Sequence, residues 1–403
     1  MGVLKNTIGK FIAKIRPIKK NRIVFTSFDG HYSDSPRRIS EALYTLDNSI
    51  EQVWLVKNEY MNLLPPYVKG VNIDKEKVKY RSSARALVDN VYANKSVELK
   101  KNTFKARLAF KFTKWMKNKR GQKVFSTWHG TPIKRMARDQ IGYEIYNFAC
   151  PNTTLILGNE FTRKVMENIT FGKVKTELIG SPRNDILFNT DKEFLSGLKQ
   201  SLGLDVDKKV AMFAPTFRAD GDDGLTSKNV RRSGIEQIES MDFDLLFKTL
   251  TEKFGGDWVI VCRFHYHVQK MVDWEDLNKR YGGRIVNGNK NDDMAEYLAV
   301  TDFLISDASS SVFDYMLTGK PCMLYFPDME HYVGAERGLY LPIDQLPFDC
   351  AVTFDDFIDN LKNFNEQEYS KKIDAIIKQF GFVDSANSAK KIAEYILAEA
   401  FRR

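Results

Sequence analysis

"DFLISDASSSVFDYMLTGKPCMLY", residues 302–325, spells a strand, a turn, a helix, a stop and a second strand. Phe303–Ile305 is a short apolar run closed by a Ser-Asp pair. Ser309 or Ser310 can cap the helix that follows, Gly319 suits the left-handed position past its end, and Pro321 cannot continue it. "KPCMLY" is then apolar again. A strand, a crossover helix and a second strand form the unit from which parallel sheets are wound. Hydroxyls and backbone N–H groups at the helix start are expected to form an anion site.

The same alternation runs through the whole chain. Strands are expected at "RIVFTS" from 22, "EQVWLVK" from 51, "KVKY" from 77, "TTLILGN" from 153 and "KTELIG" from 175. Others follow at "KKVAMFAP" from 208, "DWVIVCRF" from 257 and "GRIVNG" from 283, with helix-period segments between them. The pattern predicts parallel sheets with crossover helices. These are too many strands for one sheet, and the pattern restarts after residue 190, where "NTDKEFLSGLKQSLGLDVDKK" reads as a helix and a turn. Two Rossmann-like domains facing a cleft are therefore expected, 1–190 and 191–403. "RADGDDGLTSKNVRRSG", 218–234, is polar and glycine-rich and reads as a mobile loop.

"FSTWHGTPIKRM", residues 125–136, places His129 after an apolar strand end. Thr131 and Pro132 read as the N-cap and first position of a helix. His129 is thus expected on a loop at a strand's C-terminal end, where open α/β sheets bind ligands. A histidine that merely hydrogen-bonds within its loop fits this signal equally well.

Composition sets bounds. The 403 residues are 43% hydrophobic and 28% charged, which is globular. The net charge of +9, from 61 Lys and Arg against 52 Asp and Glu, favours an anionic partner such as a nucleotide, nucleic acid or membrane. Cys150, Cys262, Cys322 and Cys350 form no C-x-x-C pair and read as reduced core residues. No apolar run approaches the roughly 20 residues of a membrane span, and the N-terminus lacks a signal-peptide core. A cytoplasmic location is expected. There is no G-x-x-x-x-G-K-[ST] phosphate loop. The acidic clusters "DGDD" at 220–223 and "NDDM" at 291–294 do not lie between apolar strands, so no metal and no cofactor is expected.

Five stretches in order resemble the CDP-glycerol glycerophosphotransferases of teichoic acid synthesis: "SFDGHYSDSPRRISEAL", "GQKVFSTWHGTPIKRMARD", "GSPRNDIL", "FAPTFR" and "SDASSSVFDYMLTGKPCMLYFPDMEHY". The similarity runs from about residue 22 to about 345. Ser181 and Ala308 stand where the family commonly has aromatics, and Phe348-Asp349 replaces its Gly-Pro pair. The resemblance implies a GT-B-like architecture, with the acceptor bound mainly by the first domain and the CDP-alcohol by the second. It implies transfer of glycerol phosphate from CDP-glycerol to a hydroxyl of a lipid-linked acceptor, releasing CMP. Ribitol phosphate from CDP-ribitol is the alternative, as is a nucleotide-sugar glycosyltransferase on the same architecture. The chain length favours an enzyme adding one or few units.

That chemistry needs a base for the attacking alcohol, and an imidazole suits the task. His129 takes that role. His265 matches the family's second histidine and is assigned to the donor phosphates. Arg183 and Arg218 match motif arginines suited to phosphate oxygens, and Thr216 adds a hydroxyl. Ser309 and Ser310 cap the helix facing the phosphates. Asp185 and Asp307 orient donors or glycerol hydroxyls, or simply cap helices. His267, two residues on from His265, would point to the opposite face if the strand continues.

Two basic amphipathic stretches, 1–22 and 99–120, predict docking on the anionic inner face of the membrane. In the first, Leu4, Ile8, Phe11, Ile12 and Ile15 share a helical face; in the second, Phe104, Leu108, Phe112 and Trp115 do. Core-packed helices with solvated charges are the competing reading for 99–120. Nucleic acid is not an expected partner, because the histidine and serine motifs sit at strand ends, as a small-molecule site requires.

Overall fold

The computed structural model describes residues 11–28, 30–91, 96–140, 142–216, 237–264, 266–290, 293–333 and 338–401. The chain divides into two units. The first comprises Met1–Thr131, Met136–Asp185 and Phe380–Arg403; the second comprises Pro132–Arg135 and Ile186–Gln379.

The first unit is wound on a parallel seven-stranded sheet. Its strands are β1 (Lys19–Phe25), β2 (Glu51–Val56), β3 (Lys69–Asn72), β4 (Ala84–Asp89), β6 (Lys123–Ser126), β8 (Thr153–Leu157) and β9 (Lys175–Leu178). Their spatial order is β3-β2-β1-β4-β6-β8-β9. A separate antiparallel pair, β5 (Val97–Leu99) with β7 (Asn147–Ala149), stands beside the helix Phe104–Lys117.

Both faces of the main sheet are covered, which is why its strands read as unbroken apolar runs. Ile23, Phe25, Trp54, Val56, Ala86 and Val88 point to one face and pack with Ile39 and Leu43 of the helix Asp34–Leu46 and Ile392 and Ile396 of the helix Ser388–Ile396. Val24, Val53, Leu55 and Leu87 point to the other and meet Tyr80 of the helix Ile73–Ser83. The indole N–H of buried Trp54 donates to Ser40 Oγ at 3.0 Å, so its one polar group is satisfied.

"KVKY" from 77 lies in that helix and is not a strand. Asn72 caps the helix by accepting from Asp74 and Lys75 N–H, both at 3.0 Å, and Asp74 and Glu76 suit its positive end. The central strand is β4, seven residues further on.

The second unit carries a parallel six-stranded sheet. It contains β10 (Lys209–Ala214), β11 (Trp258–Cys262), β12 (Ile285–Asn287), β13 (Phe303–Ser306), β14 (Cys322–Tyr325) and β15 (Cys350–Ala351), in the order β12-β11-β10-β13-β14-β15. The strand–helix–strand reading of 302–325 is what the structure holds: β13, the helix Ser311–Met316 and β14. Gly319 closes the helix with φ +71° and its N–H donating to Met316 O at 3.0 Å.

The observed units differ from the expected partition at residue 190 in three segments, the shortest shift being residues 186–190, which fall in the second unit. Residues 132–135 cross to the second unit, where Tyr340 N–H donates to Ile133 O at 2.9 Å and Arg135 N–H to Gly338 O at 3.1 Å. Residues 380–401 return to the first unit because Ile392, Ile396 and Leu397 are fully buried in its core.

Candidate active site

In each sheet the strand order reverses once, and the loops leaving the carboxyl ends diverge there. In the first unit the reversal lies between β1 and β4. Three loops meet at it. Asn90, one residue past β4, donates from Nδ2 to Ser27 Oγ at 3.1 Å and accepts Phe28 N–H on Oδ1 at 3.0 Å. Its backbone carbonyl lies 3.1 Å from His129 Nδ1. A carbonyl only accepts, so Nδ1 carries the ring proton of the neutral imidazole, and Nε2 is its basic nitrogen.

The loops are held in costly backbone conformations. Phe28 and Trp128 have φ of +41° and +55°, which non-glycine residues rarely adopt, and Gly130 at +152° completes the turn. The Trp128 ring lies 4.0 Å from the His129 ring, and Phe28 meets it edge-on at 6.3 Å. His129 is half-buried.

No helix begins at Pro132. Residues 131–136 form neither helix nor strand, with an isolated antiparallel bridge between Lys134 and Leu339, and the short turn Ala137–Asp139 follows. Thr131 instead accepts from Asn159 Nδ2 at 2.8 Å, and Asn159 caps the helix Glu160–Ile169. The Thr-Pro signal is overridden by tertiary pairing.

Arg183 and Asp185 sit in the 3₁₀ segment Pro182–Phe188 after β9. Arg183 is buried, and its backbone N–H donates to Ser35 Oγ at 3.3 Å. Asp185 accepts Ser388 N–H at 3.1 Å on one oxygen and Ala389 N–H at 2.8 Å on the other. It therefore caps the helix Ser388–Ile396 from 203 residues away. Burial pushes its carboxyl above the usual range, against the pull of those N–H groups and Arg38. The capping alternative describes this residue.

In the second unit the reversal lies between β10 and β13. There Thr216 N–H donates to Asp307 Oδ1 at 2.8 Å, and Ser306 Oγ donates to Ala214 O at 2.6 Å, so the two strand exits are stitched together. Asp307 is fully buried and Thr216 half-buried. Ser309 Oγ lies 2.8 Å from Ser311 Oγ. Ser310 holds the N-cap position but makes no side-chain capping bond. The expected capping by Ser310 is thus not made, and Ser309 reaches only Ser311 N–H, at 3.4 Å. With six residues, the helix Ser311–Met316 offers a small dipole.

His265 and Arg218 lie outside the described residues, as do the loop 218–234 and "DGDD". The chain does not continue as a strand toward His267, which belongs to the short helix Tyr266–Gln269, so the condition attached to the opposite-face expectation is not met. Asn289 holds Phe264, the residue before His265, by accepting its N–H at 3.0 Å.

Asn90 and Asn289 are residues that sequence reading missed. The available signal for Asn90 was an asparagine directly after a strand, whose amide can both donate and accept across a loop.

The chain matches the family model described as CDP-Glycerol:Poly(glycerophosphate) glycerophosphotransferase over residues 8–398. It is 30% identical to a teichoic acid poly(glycerol phosphate) polymerase of Staphylococcus epidermidis, over 94% of this chain and 51% of the relative. It is 25% identical to a teichoic acid glycerol-phosphate transferase of Staphylococcus aureus, over 98% of this chain and all of that one. The chain thus spans about half the length of the first of these relatives. The solved wall teichoic acid polymerase TagF superposes with a TM-score of 0.76 at 27% identity, covering 99% of this chain and 95% of that chain. The expected α/β, GT-B-like fold with two Rossmann-like units is the one found.

Proposed function

The chain belongs to the CDP-glycerol:poly(glycerophosphate) glycerophosphotransferase family, and from that premise we propose that it transfers glycerol phosphate from CDP-glycerol to a hydroxyl of a lipid-linked acceptor in teichoic acid synthesis. The observation that carries this reading is the His129 arrangement. The acceptor oxygen attacks the phosphorus bearing glycerol, the phosphoanhydride bond breaks, and CMP departs with the bonding electrons. The acceptor hydroxyl gives up its proton as the new bond forms. Nε2 of His129 takes it, because Asn90 O holds the other ring nitrogen.

Donor charge falls to the second unit. Thr216, Ser309 and Ser310 supply hydroxyls near a strand reversal, and buried Asp307 fixes the backbone of Thr216. Arg218 and His265 take donor phosphate by motif. Arg183 is assigned to anion contact, and Asp185 anchors the segment that carries it.

The test is product analysis. Incubation with CDP-glycerol and a synthetic lipid-linked acceptor is expected to give CMP and an acceptor heavier by glycerol phosphate, with CDP-ribitol and UDP-sugars giving little. CMP release only from CDP-ribitol, or sugar transfer from UDP-sugars, overturns the reading.

The acceptor is carried on a lipid, and the protein docks on an anionic membrane surface. Among the described residues no helix is long and apolar enough to cross a membrane. The helix Phe104–Lys117 buries none of its residues: Phe104, Leu108, Phe112 and Trp115 are 52–86% exposed. The core-packed reading of this stretch therefore fails. Phe11, Ile12 and Ile15, in the described part of the N-terminal stretch, are exposed as well. Leu4 and Ile8 lie outside the described residues. Lys14 joins the two stretches by donating to Trp115 O at 2.8 Å, with its ammonium 5.0 Å from the Trp115 ring. Such a helix lies in the interface with its apolar side among lipid tails. Co-sedimentation with anionic vesicles is expected to be strong for the intact chain and lost in Leu108→Asp/Phe112→Asp. Equal pelleting with neutral vesicles would argue against electrostatic docking.

A further inference from the structure

We propose that the first unit holds a second anion site, at the opposite end of the strands from His129, that takes the phosphate of an anionic phospholipid headgroup. The inference rests on the membrane docking proposed above.

A cleft of about 690 Å³ opens at the amino-terminal ends of β6, β8 and β9. Lys123 and Lys175 begin two of those strands and line one side. Phe148 of β7 and Lys114 of the helix Phe104–Lys117 line another, and Lys173 stands at the entry to β9. The cleft thus forms where the inserted β5–β7 pair and its helix meet the main sheet. His129 follows the far end of β6, so the two places cannot be one site.

The charge is compensated only in part. Lys123 faces Glu399 at 3.3 Å, and Lys175 faces Glu177 at 2.9 Å. Among the described residues no carboxylate lies within ion-pair reach of Lys114 or Lys173. Lys173 donates instead to Asn147 Oδ1, a neutral group, and its ammonium lies 5.4 Å from the Phe171 ring. Two lysines therefore remain for one phosphate diester, which carries a single negative charge.

The helix decides the source of that phosphate. Lys114 shares it with exposed Leu108, Phe112 and Trp115. When those side chains enter the acyl boundary, the lysines of the same helix stand at headgroup depth. A phosphate tethered to a lipid is then presented to the cleft, whereas free phosphate must be drawn from solution.

The experiment uses the full chain and dihexanoyl phosphatidylglycerol below its micelle concentration, with binding read by calorimetry. Dihexanoyl phosphatidylcholine and inorganic phosphate are the comparison ligands. One-to-one binding of the glycerol lipid is expected, about tenfold or more tighter than the choline lipid, whose headgroup is neutral overall. Lys114→Gln/Lys173→Gln is expected to weaken it by about tenfold or more with the circular dichroism spectrum unchanged. Phe112→Asp is expected to lose vesicle binding but keep the short-chain lipid, which separates the cleft from the docking face. Inorganic phosphate binding as tightly as the glycerol lipid overturns the headgroup assignment. Indifference to the lysine substitutions overturns the location. Failure of the short-chain lipid to bind while vesicles still do overturns the site and leaves the docking in place.

Discussion

His129→Ala lowers turnover by about a hundredfold or more, while calorimetric binding of CDP-glycerol stays close to that of the unaltered chain. Loss of a general base costs this much because the acceptor alcohol must then shed its proton to water. Donor binding is spared because, in the role proposed for it, the imidazole acts on the acceptor oxygen and not on the ground-state charge of the diphosphate. His129→Gln is expected to stay equally slow, since an amide can donate to the Asn90 carbonyl but is not a base at neutral pH. Asn90→Ala should lower kcat less, with a displaced pH profile, because it releases Ser27 and Phe28 and lets the carbonyl that orients the ring drift. Near-normal kcat in His129→Ala removes the histidine from the mechanism.

Ile396→Ala destabilises the first unit by about 2–5 kcal/mol, the range for truncating a large aliphatic side chain in a packed core. Ile396 is fully buried in the cluster that contains Phe25, Trp54, Val88 and Phe125. Urea unfolding followed by tryptophan fluorescence checks it. Trp54 reports on this core, and Trp258, buried in β11, reports on the other sheet. The transition of the first core should move to lower urea while the second stays in place. An unmoved first transition would show that the C-terminal helix is not part of that core.

The second sheet was legible because its signals are local. Phe303–Ser306, the helix after it, Gly319 and Cys322–Tyr325 each obey a rule that acts within a few residues. The apolar runs of β1, β2, β8, β10 and β11 are equally direct, since strands buried on both faces need no polar alternation. What escaped depends on distant partners. Residues 77–80 have strand-like composition, but Asn72 starts a helix before them. Thr131-Pro132 has the composition of a helix start, yet the backbone just after it, at Ile133, Lys134 and Arg135, pairs with residues 338–340. No local rule assigns the helix Ser388–Ile396 to a sheet made of residues 19–178.

The site divides in the same way. His129 and the Asp307–Ser311 stretch stand at strand ends, a position readable from hydropathy alone. Asn90 makes three contacts with residues 39 to 63 positions away, and only the assembled fold brings them together. Asp185 resembles a site carboxylate by motif, and only its partners at 388 and 389 show it as a cap.

The return of residues 388–401 to the first sheet sets an order of events during synthesis. Every residue of the second unit precedes position 380, so that unit has left the ribosome before the first can finish. Until Ile392, Ile396 and Leu397 emerge, the apolar face formed by Ile23, Phe25, Trp54 and Val88 has no cover from them. The first unit, although translated first, is the last to close, and a nascent chain stalled short of residue 388 presents that face to chaperones covered only by the helix Asp34–Leu46.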